Sequence, residues 1–281
     1  MKDKVIILGR GFVGKYLEQN LNQPAYSREM YDYHDPEVLR SMLGSKGLTT
    51  VINCCGFTGS PNIDECETEK EKTLYYNVGV PNTIQSVCDK YEHTRVIHIA
   101  SGCIYQGDNN WLESDEPNFG LFNPSSYYSQ SKHLFEWSMK DRGCFILRIR
   151  MPIVSFNHPK NYLNKIMEYP NLISEKNSIT DLQLLSDYIK HILSNPNMFA
   201  DWRRIYNVVN DEPITAKRVV ELLREHNFNN PFWNFIDTED LKTAAPRSNC
   251  TLSNQRLRDN GFLNIPTAED AVERCIKDIL S

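Results

Sequence analysis

Near its start the chain carries the feature that most limits what it can fold into. Val5-Ile-Ile-Leu8 is a short apolar run, Gly9-Arg10-Gly11-Phe12-Val13-Gly14 follows without a gap, and Lys15-Tyr-Leu-Glu-Gln-Asn-Leu21 has helical spacing. A buried parallel strand, a glycine turn and a helix in that order form the first unit of a dinucleotide-binding sheet. The glycines allow a tight turn, close approach of a pyrophosphate and close helix–strand packing. The helix N-terminus offers free N–H groups and the positive end of its dipole to phosphate.

The rest of the sequence repeats the strand–helix alternation. Val51-Ile-Asn-Cys-Cys-Gly56 reads as strand and turn, Asn77 to Cys88 as helix, Arg95 to Ala100 as strand, the Tyr128 region as helix, and Cys144 to Arg150 as strand. This order predicts an α/β, Rossmann-like doubly wound parallel sheet, with ligands at the carboxyl ends of its strands. Residues 106–127 are rich in Asn, Asp, Glu, Pro and Gly and read as a loop over that edge. Beyond residue 150, prolines break the pattern. Asp181 to Ser194 reads as a helix, Arg204 to Asn210 as a late strand of the same sheet, and Ile214 to His226 as a helix. We therefore expect an NADP-binding domain over 1–150 with a return segment near 181–210, and a smaller, mainly substrate-binding lobe over 151–281.

Composition narrows the class. The chain has 281 residues and a formal net charge of -5, which argues against a nucleic-acid partner, since that needs a basic face. No apolar run approaches the ~20 residues of a membrane span, and the apolar stretch near Met1 is too short for a signal peptide. The eight cysteines are irregularly spaced without a C-x-x-C pair, which suits reduced thiols and a cytoplasmic enzyme. The pattern calls for no metal.

Two further groups carry chemistry. Tyr128 and Lys132 are four apart and share a helix face. A fixed ammonium beside a phenol favours the phenolate, which suits delivery of a proton to oxygen as hydride reaches carbon. Ser101 and Cys103, if the strand continues through them, point to one face with Gly102 between them. On residue type alone Cys103 is a packed thiol, and Ser101 a cap on the next turn. About 20 positions after the glycines, where an acid would mark an NAD enzyme, stands Tyr26-Ser27-Arg28-Glu29. Arg28 and Ser27 suit a 2′-phosphate and favour NADPH, with Glu29 dissenting. The candidate cofactor contacts are Gly9, Gly11, Phe12, Val13, Gly14, Ser27, Arg28, Asn53, Gly56, Asn77, Tyr128 and Lys132. Asn53 reads equally well as a turn residue, and so does Thr58.

Taken together, the glycine turn, Ser101, Tyr128 and Lys132 resemble the extended short-chain dehydrogenase/reductase family. Within it, the chain is most similar to the nucleotide-rhamnose epimerase-reductases and to the related dTDP-4-dehydrorhamnose reductases. The stretches that carry the likeness are Val51 to Glu67, Ser101-Gly-Cys-Ile-Tyr105, Leu147-Arg-Ile-Arg-Met-Pro-Ile153, Asn157 to Ile166 and Ala245-Pro-Arg-Ser-Asn249. The resemblance implies a reductive triad of Ser101, Tyr128 and Lys132, and an epimerase acid/base pair of Cys103 and Lys165, with His158 as a rival to Lys165. It implies Arg247 near a nucleotide diphosphate, and Thr58, Asn161 and Asn249 join it as candidate substrate contacts. The implied substrate is a UDP- or dTDP-linked 4-keto-6-deoxy sugar, and the implied activity a 3,5-epimerase/4-reductase yielding UDP-L-rhamnose with NADPH. Two alternatives stay open: a monofunctional reductase, and a non-catalytic NADP-binding regulatory subunit. A homodimer is a further expectation.

Overall fold

A computed structural model describes residues 4–43, 49–121, 125–195, 197–198 and 204–281. Strands β1 (Lys4–Leu8), β2 (Ala25–Tyr26), β3 (Thr49–Asn53) and β4 (Thr94–Ser101) join Cys144–Ile149 and Ile205–Asn207 in a six-stranded sheet. Its order runs Ile205–Asn207, Cys144–Ile149, β4, β3, β1, β2, and every neighbouring pair is parallel. β3 and Cys144–Ile149 are buried at every position, as strands covered on both faces must be. The predicted fold class is found.

Helices cover both faces. Leu17 of helix α1 (Phe12–Leu21) and Leu185, Tyr188 and Ile192 of the helix Leu182–Ser194 pack on one face. Leu39, Val80, Ile84, Phe135 and Met139 pack on the other. A separate apolar cluster gathers Leu163, Ile166, Ile214, Val219, Val272 and Ile276 from the later part of the chain.

The topology fixes where a ligand belongs. From β1 the chain passes to β2 on one side, then returns to β3 on the other, so the order reverses between β1 and β3. Leu8 and Asn53 are paired at the carboxyl ends of these strands, and such a switch point opens a crevice there. The late strand predicted within Arg204 to Asn210 is Ile205–Asn207, beside Cys144–Ile149.

Three expectations change. Ser101 ends β4, and Gly102–Ile104 is one turn of 3-10 helix, so Ser101 and Cys103 are not strand neighbours two apart. The stretch 106–127 is not wholly loop: Gly107–Trp111 is a strand parallel to Cys250–Leu252. Its polar sequence gave no sign of a partner that lies far along the chain; residues 122–124 fall outside the described residues. The helix read from Asn77 begins as a π-helical turn, Tyr75–Gly79, before Val80–Cys88.

Short two-strand ladders organise the later segments. Pro152–Ile153 pairs with Thr180–Asp181, Lys176–Asn177 with Ile214–Thr215, and Asn171–Ile173 with Asn234–Ile236. Cys250 N donates to Asn177 Oδ1 at 3.0 Å. All eight cysteines are free thiols, and among the described residues no helix is long and apolar enough to cross a membrane.

Candidate active site

The glycine turn is built as its spacing requires. Gly9 has φ +93°, and a Cβ there would lie 2.8 Å from Cys55 N. A Cβ on Gly14 would lie 1.8 Å from Gly9 O, so only hydrogen fits where α1 crosses the turn. A Cβ on Gly11 would meet nothing within 4 Å. Two glycines thus serve packing, and the third leaves open space at the N-terminus of α1. Gly11 is the N-cap and makes no side-chain cap bond, so the first N–H groups are left for a ligand. A dinucleotide's pyrophosphate fits this cradle. Phe12 stacks on His158, with ring centroids 4.4 Å apart and planes at 16°. Val13 belongs to the same first turn and packs on the apolar cluster beneath the sheet.

Tyr128 and Lys132 lie on the helix Tyr127–Ser138, whose N-cap Ser126 accepts from Ser129 N at 3.1 Å. Both are buried, and Lys132 Nζ lies 5.7 Å from the Tyr128 ring centroid. Burial holds the Tyr128 phenol well above its usual range; Cys103 adds to this, and a hydrogen bond with Ser101 opposes it. The expected pull of Lys132 toward phenolate is therefore corrected: burial outweighs it, and Tyr128 is kept as a protonated donor. Burial also lowers the Lys132 ammonium to about 8.

Gly56 and Asn77 lie beside that ammonium. A Cβ on Gly56 would lie 3.2 Å from Lys132 Nζ and 3.3 Å from Asn77 Oδ1. Asn77 Nδ2 donates to Phe57 O and to Ser131 Oγ, both at 3.0 Å, while its Oδ1 accepts from Phe57 N at 2.8 Å. The Asn77 side chain thus ties the turn after β3 to the Tyr128 helix, and both its amide hydrogens are used. Asn53 is likewise committed inward: its Oδ1 accepts from Cys55 N at 3.0 Å and its Nδ2 contacts His98 Nδ1 at 2.9 Å. His98 Nε2 contacts Gln85 Oε1 at 3.0 Å, and burial drops this imidazole to about 3, so it is neutral.

The one-turn 3-10 helix carries Cys103, which is half-buried. Ser101 Oγ accepts from Cys103 N at 3.2 Å, so Ser101 caps this turn while also bonding Tyr128. Arg150 Nη1 donates to Cys103 Sγ at 3.1 Å. Lys165, on the helix Tyr162–Glu168, is depressed by burial and by the nearby Lys160 and Arg247 cations, with Cys103 pulling the other way. Among the described residues its ammonium makes no hydrogen bond or ion pair. His158 faces the glycine turn through Phe12, and its Nδ1 accepts from Lys160 N at 3.0 Å.

The remaining candidates divide. Arg247 lines a cavity of about 560 Å³ with Gln106, Asn118 and Thr238. Its guanidinium is held bidentately by Asp64, at 2.8 and 3.1 Å. Thr58 is exposed on the turn after β3. Asn161 and Asn249 are used within the fold. Asn161 caps its helix through Leu163 N and donates to Val154 O and Phe156 O. Asn249 Oδ1 accepts from Asn177 Nδ2 at 3.0 Å, and its Nδ2 donates to Thr238 Oγ1 at 2.9 Å. Arg28 lies just past β2 and donates to Tyr76 OH at 3.0 Å. Ser27 hydrogen-bonds Glu29, holding that carboxyl below its usual range. Sequence reasoning missed Arg150 and Asp64. A signal for Arg150 existed: two arginines, 148 and 150, stand within and just past an otherwise apolar buried strand.

A parallel sheet with this glycine turn and a Ser–Tyr–Lys cluster at its carboxyl edge defines a Rossmann-like protein. Residues 4–281 match the RmlD substrate binding domain family, and the chain belongs to that family. An Arabidopsis thaliana trifunctional UDP-glucose 4,6-dehydratase/UDP-4-keto-6-deoxy-D-glucose 3,5-epimerase/UDP-4-keto-L-rhamnose-reductase is 32% identical over 273 residues, 91% of this chain. The chain spans only 39% of that relative's length. A bifunctional dTDP-4-dehydrorhamnose 3,5-epimerase/dTDP-4-dehydrorhamnose reductase from the same plant is 32% identical over 221 residues, 74% of this chain and 70% of that protein. Among solved structures, the L780 UDP-rhamnose synthase of Acanthamoeba polyphaga mimivirus superposes with a TM-score of 0.82 at 21% identity, covering 98% of this chain and 99% of that one. A Bacillus anthracis dTDP-4-dehydrorhamnose reductase in complex with NADP gives 0.78 at 20% identity, covering 99% of both. These two structures bear on the fold alone. The family resemblance read from the sequence is borne out.

Proposed function

We propose that the protein is an NADPH-dependent reductase of a UDP- or dTDP-linked 4-keto-6-deoxy sugar that also epimerises C3 and C5, giving UDP-L-rhamnose from UDP-4-keto-6-deoxy-glucose. The observation that carries this reading is the meeting of Ser101, Tyr128 and Lys132 with Cys103 at one sheet edge beside the glycine turn. The activities in the relatives' names support the substrate class. The free N–H groups behind Gly11, in a turn that Gly9 and Gly14 allow to close, would hold the dinucleotide pyrophosphate, Lys132 its nicotinamide ribose, and Arg28 a 2′-phosphate. When bound, the reduced dinucleotide supplies hydride to C4.

The chain's own residues perform the proton chemistry. The C4 carbonyl acidifies the hydrogens on C3 and C5. Cys103 takes one onto sulfur, and Lys165 returns a proton to the opposite face, inverting the carbon. Ser101 and Tyr128 hydrogen-bond the C4 oxygen and stabilise the charge that gathers there. Tyr128 then gives its phenolic proton to that oxygen during reduction. Thr58 and Arg247 would contact the sugar nucleotide, with Arg247 released from Asp64 toward the diphosphate. The free thiols suit a cytoplasmic setting.

Purified protein incubated with UDP-4-keto-6-deoxy-glucose and NADPH should yield UDP-L-rhamnose, identified by NMR. A 6-deoxy sugar reduced at C4 but unchanged at C3 and C5 would replace this reading with a pure reductase. No NADPH consumption with UDP-4-keto-6-deoxy-glucose or with UDP-4-keto-rhamnose would favour the non-catalytic subunit.

A further inference from the structure

Arg148 and Arg150 are both almost wholly buried, yet only one has a carboxylate. The Arg148 guanidinium is forked on Glu136, with Nε at 3.0 Å from both oxygens and Nη2 at 2.7 Å from Oε2. Arg150 has no acidic partner among the described residues. Its Nη1 donates to Cys103 Sγ at 3.1 Å. Its Nη2 donates to Asn177 Oδ1 at 2.6 Å and to Ser248 O. Its Nε has no hydrogen-bond partner among the described residues. A buried cation left on neutral acceptors, with one donor unpaired, does not explain itself by fold stability. The arrangement makes sense if an anion forms beside it.

We infer that Arg150 is the positioning residue for Cys103, fixing its sulfur and supplying the counter-charge when the thiol becomes thiolate. The inference rests on the reading of Cys103 as the base of the epimerisation. The fork is held rigidly, since Asn177 and Ser248 arrive from separate segments and Arg150 N donates to Thr180 Oγ1 at 2.9 Å. The turn carrying Cys103 lies beside the arginine stem: a Cβ on Gly102 would be in ordinary contact, 3.7 Å, with Arg150 Cδ. Such a preset donor does not reorganise when charge appears. Cys103 gives its thiol proton to solvent and becomes the thiolate that accepts the carbon-bound proton. Arg150 remains a guanidinium throughout.

The other groups near this pair are Cys250, Tyr162, Tyr128, Lys132 and Lys165. Cys250 is the rival thiol. It is fully buried, its Sγ donates to Gly102 O at 3.4 Å, and burial raises it. It therefore cannot reach a ligand, whereas half-buried Cys103 can. Lys165 and Lys132 are further cations near Cys103, so removal of Arg150 should weaken rather than abolish its reactivity.

The test uses the full chain and three variants: Arg150→Met, Arg150→Gln and Arg150→Lys. Alkylation of Cys103 by iodoacetamide, quantified by peptide mass spectrometry against pH, reads the pair without any sugar. Solvent deuterium exchange into UDP-4-keto-6-deoxy-glucose without NADPH reads the base. Arg150→Met should slow both by about tenfold or more and move the alkylation profile to higher pH, as loss of a charge-assisted hydrogen bond implies. Arg150→Gln, neutral but polar, should behave like Arg150→Met and carries the test should Met unfold the chain. Arg150→Lys should recover part of both rates. Reduction of UDP-4-keto-rhamnose should fall less than either thiol readout, since hydride transfer does not use the thiol. Parent-like alkylation in the neutral variants overturns the inference even if the parent exchanges deuterium. Absence of exchange in the parent removes the epimerase reading and with it the role of Arg150 toward a base.

Discussion

The reductive half of the candidate centre and its proton-transfer half meet at Ser101, but they are built differently. Tyr128 and Lys132 stand one helical turn apart on a capped helix of 12 residues. That helix is anchored from below by Glu136 on Arg148 and from the side by Asn77 through Ser131. Cys103 stands on a single 3-10 turn, Lys165 on a helix of 7 residues, and Arg150 just past a strand end, followed by Met151 at φ +38°. The first half is fixed by regular elements of the sheet. The second is assembled from irregular segments that short ladders hold together. A fold can therefore keep its reductive chemistry while its proton-transfer chemistry is gained or lost.

The largest effect should come from Tyr128→Phe. The ring stays in its buried slot while the proton donor is lost, so reduction of a ketosugar should fall by ~10²–10⁴. NADPH binding, followed by fluorescence, should persist, and deuterium exchange at C3 and C5 should survive in part, carried by Cys103 with Ser101 still on the C4 oxygen. Near-normal turnover would remove Tyr128 from its role.

Cys103→Ser should give the reverse split. The hydroxyl is far harder to deprotonate than a thiol, so deuterium exchange without NADPH should fall by about 10². Reduction of an already epimerised ketosugar should be largely kept, because its groups lie on the other half. Lys165→Met belongs to the same comparison and should resemble Cys103→Ser. Exchange at the parent rate in Cys103→Ser would leave a pure reductase.

This division also explains what the sequence made legible. The glycine turn, the parallel sheet, and Tyr128 with Lys132 are written in local periodicity and spacing, and the structure places them together. Strand alternation does not bring Cys103 to Ser101, since the strand stops there; a cap bond on the next turn does. The sequence marks Asn53 and Asn77 as ligand contacts, yet their amides are spent inside the protein, on His98 and Cys55 and on Phe57 and Ser131. Arg150, Asp64 and the Gly107–Trp111 strand depend on partners far along the chain. Nothing in their neighbourhoods announces those partners.

A smaller effect separates the halves by pH. Burial holds the folded Lys132 near 8, below its ordinary 10.5. The unfolded chain therefore binds more protons than the folded one between those values, and this group's contribution makes stability rise with pH across that window. Activity should move the other way. The role proposed for Lys132 needs the ammonium, so single-turnover reduction should decline as pH rises through about 8, approaching tenfold per unit above it. A reduction rate that stays flat from pH 7 to about 9.5 would sink the requirement for a charged Lys132.

The smallest expected change lies at the far end of the cofactor cradle. Arg28 follows β2 and is exposed, donating to Tyr76 OH at 3.0 Å. Ser27 is engaged with Glu29, whose carboxyl stays ionised beside it. A 2′-phosphate would meet one attractive cation and one repulsive anion, so the preference for NADPH should be modest. Arg28→Ala should weaken NADPH binding by about tenfold, the scale of one exposed charge-assisted bond, and leave NADH binding nearly unchanged. Glu29→Gln should do the opposite and tighten NADPH. Neither change should alter deuterium exchange at C3 or C5, because that chemistry needs no hydride. Equal affinity of the parent for NADPH and NADH, measured by titration calorimetry, would remove Arg28 as the selector.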